Sequence, residues 1–176
     1  MKMIVFSLLA LCFSLSLKAQ SILSIPFGSS YQTTKECLES RFGSNKVFED
    51  GGKIEVMNPV IGGQEFKAAT FYFQRQGSAT WMNEVFIQTW FSTTDTENAK
   101  FMRDEIAEIL AEKYEIKSSI NNQGFKVYTF GTNPKNKDEA LGSLFITKDK
   151  GNDGKARLYL ILYYGPIYYI NKSSDF

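Results

Sequence analysis

Residues 93–114 carry the clearest helical pattern in the sequence, and they separate two stretches with a similar order of elements. Apolar residues such as Ile106 and Leu110 recur at helical spacing and make one apolar stripe. Thr94 and Glu97 fit a capping box, in which each side chain binds an unpaired backbone amide of the first turn. A helix in the middle of the chain therefore divides it into two halves.

Each half contains further elements. A helix is predicted over residues 31–42, with Ser29 and Gln32 as its capping box and Gly43 ending it in a left-handed conformation. Alternation of apolar and polar residues predicts three strands in each half. The predicted strands cover 53–57, 66–74 and 82–91 in the first half, and 125–130, 140–148 and 156–164 in the second.

The two halves, about 21–92 and 93–176, match at an offset of about 72 positions. Gly52 aligns with Gly124, for example. Short turns between strands favour antiparallel meanders, and one helix for each meander favours helices on a single face. The predicted fold is α+β: tandem helix–strand–strand–strand repeats forming one antiparallel, roughly six-stranded sheet with two helices on one face.

This order of elements resembles the β-lactamase-inhibitor-protein-like fold and the small outer-membrane assembly lipoproteins of the SmpA/OmlA type. The sequence Ile-Pro-Phe-Gly-Ser-Ser at 25–30, before a predicted helix that ends in Arg-Phe-Gly at 41–43, also resembles small secreted proteins of uncharacterised families from Gram-negative bacteria. The second resemblance implies a location outside the cytoplasm and no particular activity.

Residues 1–19 have the pattern of a secretion signal. Lys2 precedes a short apolar run, and Ala19 fits the residue before a signal-peptidase cut. We therefore expect a mature chain of one domain, 20–176, located in the periplasm or secreted. An alternative is a lipoprotein anchored through Cys12, although the apolar run before Cys12 is short.

The charge balance argues against two classes of partner. The full chain has 20 basic and 19 acidic residues, and cleavage would remove Lys2 and Lys18. A nearly neutral chain of mixed charges gives no electrostatic reason to expect nucleic acid or an anionic membrane. No segment after the signal is long and apolar enough to predict a transmembrane span.

The sequence contains no histidine, which excludes a Ser-His-Asp triad and the usual Cys/His zinc site. Cys37 would be the one cysteine of the mature chain, and its place beside Leu38 predicts a buried thiol. Asp149, Asn152 and Asp153 have the composition of a calcium loop without its spacing, so a polar turn is expected there. No catalytic residue, metal site or cofactor is predicted.

Aromatic residues on the strands provide the candidate site. If the aliphatic phase of each third strand faces the helices, the opposite phase combines large aromatic side chains with Glu84, Gln88 and Arg157. The predicted binding residues are Tyr72, Phe86, Trp90, Tyr159 and Tyr163. The alternative is that residues 165–170 fold back over these side chains and make them core.

Two functions remain open on this basis. The first is a non-enzymatic binding module with a protein or glycan partner at the cell envelope. The second is a small envelope hydrolase or lyase that uses carboxylate, tyrosine or lysine groups. The absence of histidine and of any catalytic motif favours the binding module.

Overall fold

The computed structural model describes residues 20–169, so the predicted signal at 1–19, Cys12 and residues 170–176 lie outside the described part. The described chain is of the α+β class, as predicted.

Its helices are α1 (Tyr31–Phe42) and α2 (Thr96–Ala111), with a short 3-10 helix at Ser44–Lys46. Its strands are β1 (Ser21–Ile22), β2 (Ile25–Pro26), β3 (Val47–Asp50), β4 (Lys53–Met57), β5 (Val60–Ile61), β6 (Gln64–Glu65), β7 (Ala68–Gln76), β8 (Ala79–Ser92), β9 (Ile116–Ile120), β10 (Lys126–Phe130), β11 (Gly142–Lys150) and β12 (Ala156–Tyr164).

One antiparallel sheet holds eight of these strands, in the order β3-β4-β7-β8-β12-β11-β10-β9. The sheet is therefore wider than the roughly six strands predicted, because β3 and β9 add one strand at each edge. Each half contributes a helix followed by a four-stranded meander. The two meanders meet where β8 pairs with β12, so the last strand of each half lies at the centre of the sheet.

Local chemistry sets the ends of α1. The Ser30 hydroxyl accepts the Thr33 amide hydrogen at 3.1 Å, so the N-cap is Ser30 and the predicted Ser29 cap is wrong by one position. Gly43 ends the helix with a φ of +88°, a backbone region that favours glycine, and its N–H donates to the Glu39 carbonyl at 2.9 Å.

The start of α2 differs from its predicted capping box. Asp95 is the N-cap residue, and no side chain caps the first turn. The Thr94 hydroxyl pairs with the Ser92 hydroxyl at 3.0 Å, and the Glu97 carboxylate binds the Lys100 ammonium at 2.9 Å. These local partners compete with the backbone amides that a capping box requires.

One hydrophobic cluster fills the space between the helices and the sheet. Leu38 of α1 and Ala99 of α2 belong to it, together with the inward residues of β4, β7, β8, β11 and β12. Both helices thus pack against the same sheet face. Val85, Ile87 and Leu160, at the centre of that face, are fully buried. Burial of these side chains contributes to the hydrophobic stabilisation of the two central strands.

Cys37 is exposed, so the prediction of a buried thiol is wrong. The inward side of α1 carries Thr34 and Leu38, both fully buried, while Tyr31 and Phe42 are partly buried. At about 100° per residue, Cys37 lies roughly 100° from the middle of that side. Its proximity to Leu38 in sequence was therefore a poor guide to burial.

Candidate binding surface on the open sheet face

The side of the sheet opposite the helices carries all five predicted site residues. Because side chains alternate along a strand, residues in phase with the core residues Val85 and Leu160 face the helices, and their neighbours face away. We call the five residues that face away the aromatic face: Tyr72 on β7, Phe86 and Trp90 on β8, and Tyr159 and Tyr163 on β12.

Strand register brings four of these residues together in two cross-strand pairs. Trp90 lies opposite Tyr159, and Phe86 lies opposite Tyr163. The ring centroids are 6.4 Å apart in each pair, with interplanar angles of 55° for the first and 69° for the second. These tilted arrangements are within the range that aromatic quadrupoles favour.

The aromatic face is partly exposed. Trp90 is 37% exposed and Tyr72 is 38% exposed, while Phe86, Tyr159 and Tyr163 are half-buried by their neighbours on the sheet. Partly exposed aromatic side chains that are held by neighbours provide a contact area with little conformational freedom left to lose.

The Trp90 end of the face is cationic. The Lys67 ammonium lies 5.9 Å from the Trp90 ring centroid, and the Arg157 guanidinium lies 5.6 Å from it, so both can make cation–π interactions. Arg157 also binds the Asp153 carboxylate at 2.6 Å. Hydrogen bonds from Arg157 to Tyr159 and Asp153 raise the pKa of the guanidinium further above its ordinary value.

The opposite end of the face carries a carboxylate. Glu84 lies opposite Tyr72 on the neighbouring strand and near the Tyr163 hydroxyl. Burial, together with the negative charge and the hydrogen bond of Glu84, raises the pKa of Tyr163 above its ordinary value. Tyr163 therefore remains a neutral hydrogen-bond donor throughout the physiological range of pH.

Backbone hydrogen bonds fix the course of the chain after β12. The Gly165 N–H donates to the Leu141 carbonyl, and the Ile167 N–H donates to the Asn83 carbonyl, each at 2.8 Å. These bonds place the Ile167 side chain, which is fully buried, in the helix-side core. Tyr168 follows at 61% exposure, near Tyr163. In the described part of the tail, Ile167 packs on the helix side and Tyr168 lies near Tyr163 at one end of the aromatic face, while Trp90 at the other end remains partly exposed.

Two contributors to this face were missed by sequence reasoning. Phe48 is 51% exposed and lies in register with Glu55, Thr70 and Phe86 across the sheet. It was missed because β3 was not predicted as a strand. Lys67 was missed because the strand predicted over 66–74 put it in the same phase as Ala69 and Phe71, which face the helices, whereas β7 begins only at Ala68. A strand signal for Val47–Asp50 is weak because the segment contains two adjacent acidic residues.

Two surface ion pairs shift the pKa values of their lysines and of one carboxylate. The Glu49 carboxylate raises the pKa of Lys35, and the Asp50 carboxylate raises that of Lys53. A hydrogen bond from Lys35 lowers the pKa of Glu49. These directions follow from the ion pairs of Lys35 with Glu49 and of Lys53 with Asp50.

The carboxylates of the turn at 149–154 bind local partners. The Asp153 carboxylate accepts from the Lys155 amide and from Arg157, while the Asp149 carboxylate accepts from the Lys150 amide. Within residues 20–169, no group of three acidic or cysteine side chains is arranged to hold a metal ion. In the same range, no helix has the length and apolar character needed to span a bilayer.

Comparison of the chain with protein-family models, with curated protein sequences and with solved structures found no match. The resemblance in element order to the β-lactamase-inhibitor-protein-like fold therefore remains a prediction.

Proposed function

We propose that this protein is a non-enzymatic binding module that contacts a protein or glycan partner through the aromatic face. The observation that carries the proposal is the pair of cross-strand aromatic contacts on an open sheet face, ending in a partly exposed Trp90 between two cations. Interfaces are enriched in aromatic residues and arginine at their centres, and a few such residues provide most of the binding energy.

The charge pattern of the face supports selectivity for an oriented partner. Lys67 and Arg157 lie at the Trp90 end, and Glu84 lies at the Tyr163 end. Opposite charges at the two ends favour one direction of a bound chain over the reverse, because the reversed partner meets like charges.

The proposed location is the periplasm or the exterior of the cell, as the residues at 1–19 suggest. The proposed domain is residues 20–176, and the proposed partner is a protein or glycan of the cell envelope.

The proposal also includes an origin from two tandem repeats. In support, an offset of 73 aligns Phe86 with Tyr159 and Trp90 with Tyr163, and pairs of these same residues face each other across the β8–β12 seam.

The test uses the mature protein and two alanine variants. Trp90→Ala removes the partly exposed ring at the cationic end of the aromatic face. Phe101→Ala is the matched control, because Phe101 is a 65% exposed aromatic residue on α2, on the other side of the sheet. Both proteins, with the wild type, are immobilised and tested against envelope proteins and against a panel of envelope glycans.

We expect Trp90→Ala to weaken partner binding by roughly 30-fold, since truncating an aromatic hot-spot residue costs about 2 kcal/mol. Phe101→Ala should bind as the wild type does. Equal binding by all three proteins, or equal loss in both variants, would show that the aromatic face is not the binding site.

A further inference from the structure

A cleft on the helix side lies near the Trp90 end of the sheet. It has a volume of about 480 Å³ and is lined by both apolar and charged residues. Phe66 and Thr89 are buried and Phe91 and Met102 are half-buried, while the remaining lining residues are exposed. Those exposed residues are Lys46, Asn58, Val60, Glu65 and Lys67.

The segment between β4 and β7 shapes this cleft. The hairpin of β5 and β6 lies against α2, where the Gln64 side chain donates to the Glu105 carboxylate at 2.9 Å. The base of the segment is closed by hydrogen bonds from Asn58 N–H to the Lys67 carbonyl and from Phe66 N–H to the Pro59 carbonyl. Because both its base and its tip are held, the segment forms a fixed wall, and the cleft exists before any ligand binds.

The cleft combines an apolar interior with a cationic rim. No carboxylate of residues 20–169 forms an ion pair with Lys46 or Lys67. Glu65 contributes the one acidic side chain among the lining residues, so two lysines and one glutamate leave one net positive charge. A singly charged anion matches this balance, whereas a phosphate dianion would leave an excess of negative charge beside Glu65.

We infer that this cleft binds an apolar chain that ends in a carboxylate, such as a medium-chain fatty acid. The chain lies along Phe66, Phe91 and Met102, where its burial supplies the hydrophobic part of the affinity. The carboxylate lies at the rim between Lys46 and Lys67. The apolar part of the site lies on the helix side of the sheet, but its rim shares Lys67 with the Trp90 end of the aromatic face. Lys46 contacts the cleft alone, so Lys46→Gln tests the cleft separately from the proposed function of the aromatic face.

Calorimetric titration of the mature protein with dodecanoate, below its micelle concentration, tests this inference. We expect saturable binding, with weaker binding of dodecyl phosphate and still weaker binding of the neutral dodecyl maltoside. Lys46→Gln and Lys67→Gln should each weaken dodecanoate binding about fivefold, as exposed charge contacts do. Val60→Glu adds a carboxylate to the exposed rim and should weaken binding similarly.

Lys150→Gln is the matched control, because Lys150 is an exposed lysine at the end of β11, outside the cleft. Each substituted side chain is exposed, so the variants retain the fold. Absence of saturable binding would overturn the inference. So would equal affinity for dodecanoate and dodecyl maltoside, or a Lys46→Gln/Lys67→Gln double variant that binds as tightly as the wild type.

Discussion

The two faces of the central strand pair differ in composition and in packing. On the helix side, β8 and β12 present Val85, Ile87 and Leu160, and all three are fully buried. On the open side the same strands present Trp90, which is 37% exposed, and Tyr159, which is half-buried. Removal of a side chain should thus affect folding on one face and recognition on the other, although both faces belong to the same strands.

The largest effect should come from a cavity on the helix side. Leu160→Ala removes a fully buried side chain at the centre of the sheet and should lower the free energy of unfolding by about 2–5 kcal/mol. Urea denaturation followed by circular dichroism measures this change. Trp90→Ala provides the contrast on the open face and should cost much less. If Trp90→Ala destabilised the protein as strongly as Leu160→Ala, the proposed division between the faces would be wrong.

A smaller effect should come from the aromatic pairs themselves. In a double-mutant cycle, Phe86→Ala and Tyr163→Ala should show a coupling energy of about 0.5–1.5 kcal/mol, because the two rings are in contact. Phe86→Ala with Trp90→Ala is the control cycle. These residues are four positions apart on β8, about 13 Å, so their effects should add. If the effects of the two substitutions were additive in both cycles, the aromatic pairs would contribute only buried surface area and no specific ring–ring interaction.

The smallest effect concerns a charged group on the helix side. Arg103 is buried on α2, and its guanidinium binds the Asp104 carboxylate, which also accepts from the Tyr128 hydroxyl. The Arg103 hydrogen bond is the main cause that lowers the pKa of Asp104 below its ordinary value of 3.8. A lowered carboxylate pKa in the folded state stabilises the protein above the unfolded value, and this stabilisation is lost as the pH falls through the folded value.

We therefore expect the unfolding free energy of the wild type to fall as the pH drops below about 4, and to fall less steeply in Asp104→Asn. Tyr128→Phe removes one donor to the carboxylate and should give an intermediate slope. Urea titrations at several acidic pH values measure these slopes. Identical slopes for the wild type and Asp104→Asn would contradict this account of Asp104.

Much of the fold followed from periodicity. The bounds of α1, β4 and β12 agree with the sequence prediction, because each combines a regular pattern with clear turn residues at its ends. The edge strands β3 and β9 were missed, since each is short and largely exposed and lacks a sustained alternation. The register of β8 against β12 could not be predicted from the sequence, because it depends on tertiary contacts between the two halves.

The candidate site likewise combines features that alternation predicts with features that only the structure shows. Alternation along β8 and β12 was sufficient to place Phe86, Trp90, Tyr159 and Tyr163 on one face. The same alternation placed Arg157 on this face, whereas the contact of Lys67 with Trp90 required the structure, because Lys67 precedes β7. Cys37 shows the opposite error, in which an apolar sequence neighbour suggested burial although the helix turns the thiol outward.

The seam between β8 and β12 also has a consequence for the order in which the chain folds. During synthesis or export from the amino terminus, β8 emerges well before β12, the last strand of the sheet. Until β12 arrives, the part of β8 that it pairs with, residues 85–92, is an unpaired strand edge that is open to other chains. Closing the seam needs contacts between distant parts of the sequence, and such contacts form slowly. A nascent molecule is thus most vulnerable to aggregation just before its final strand is available.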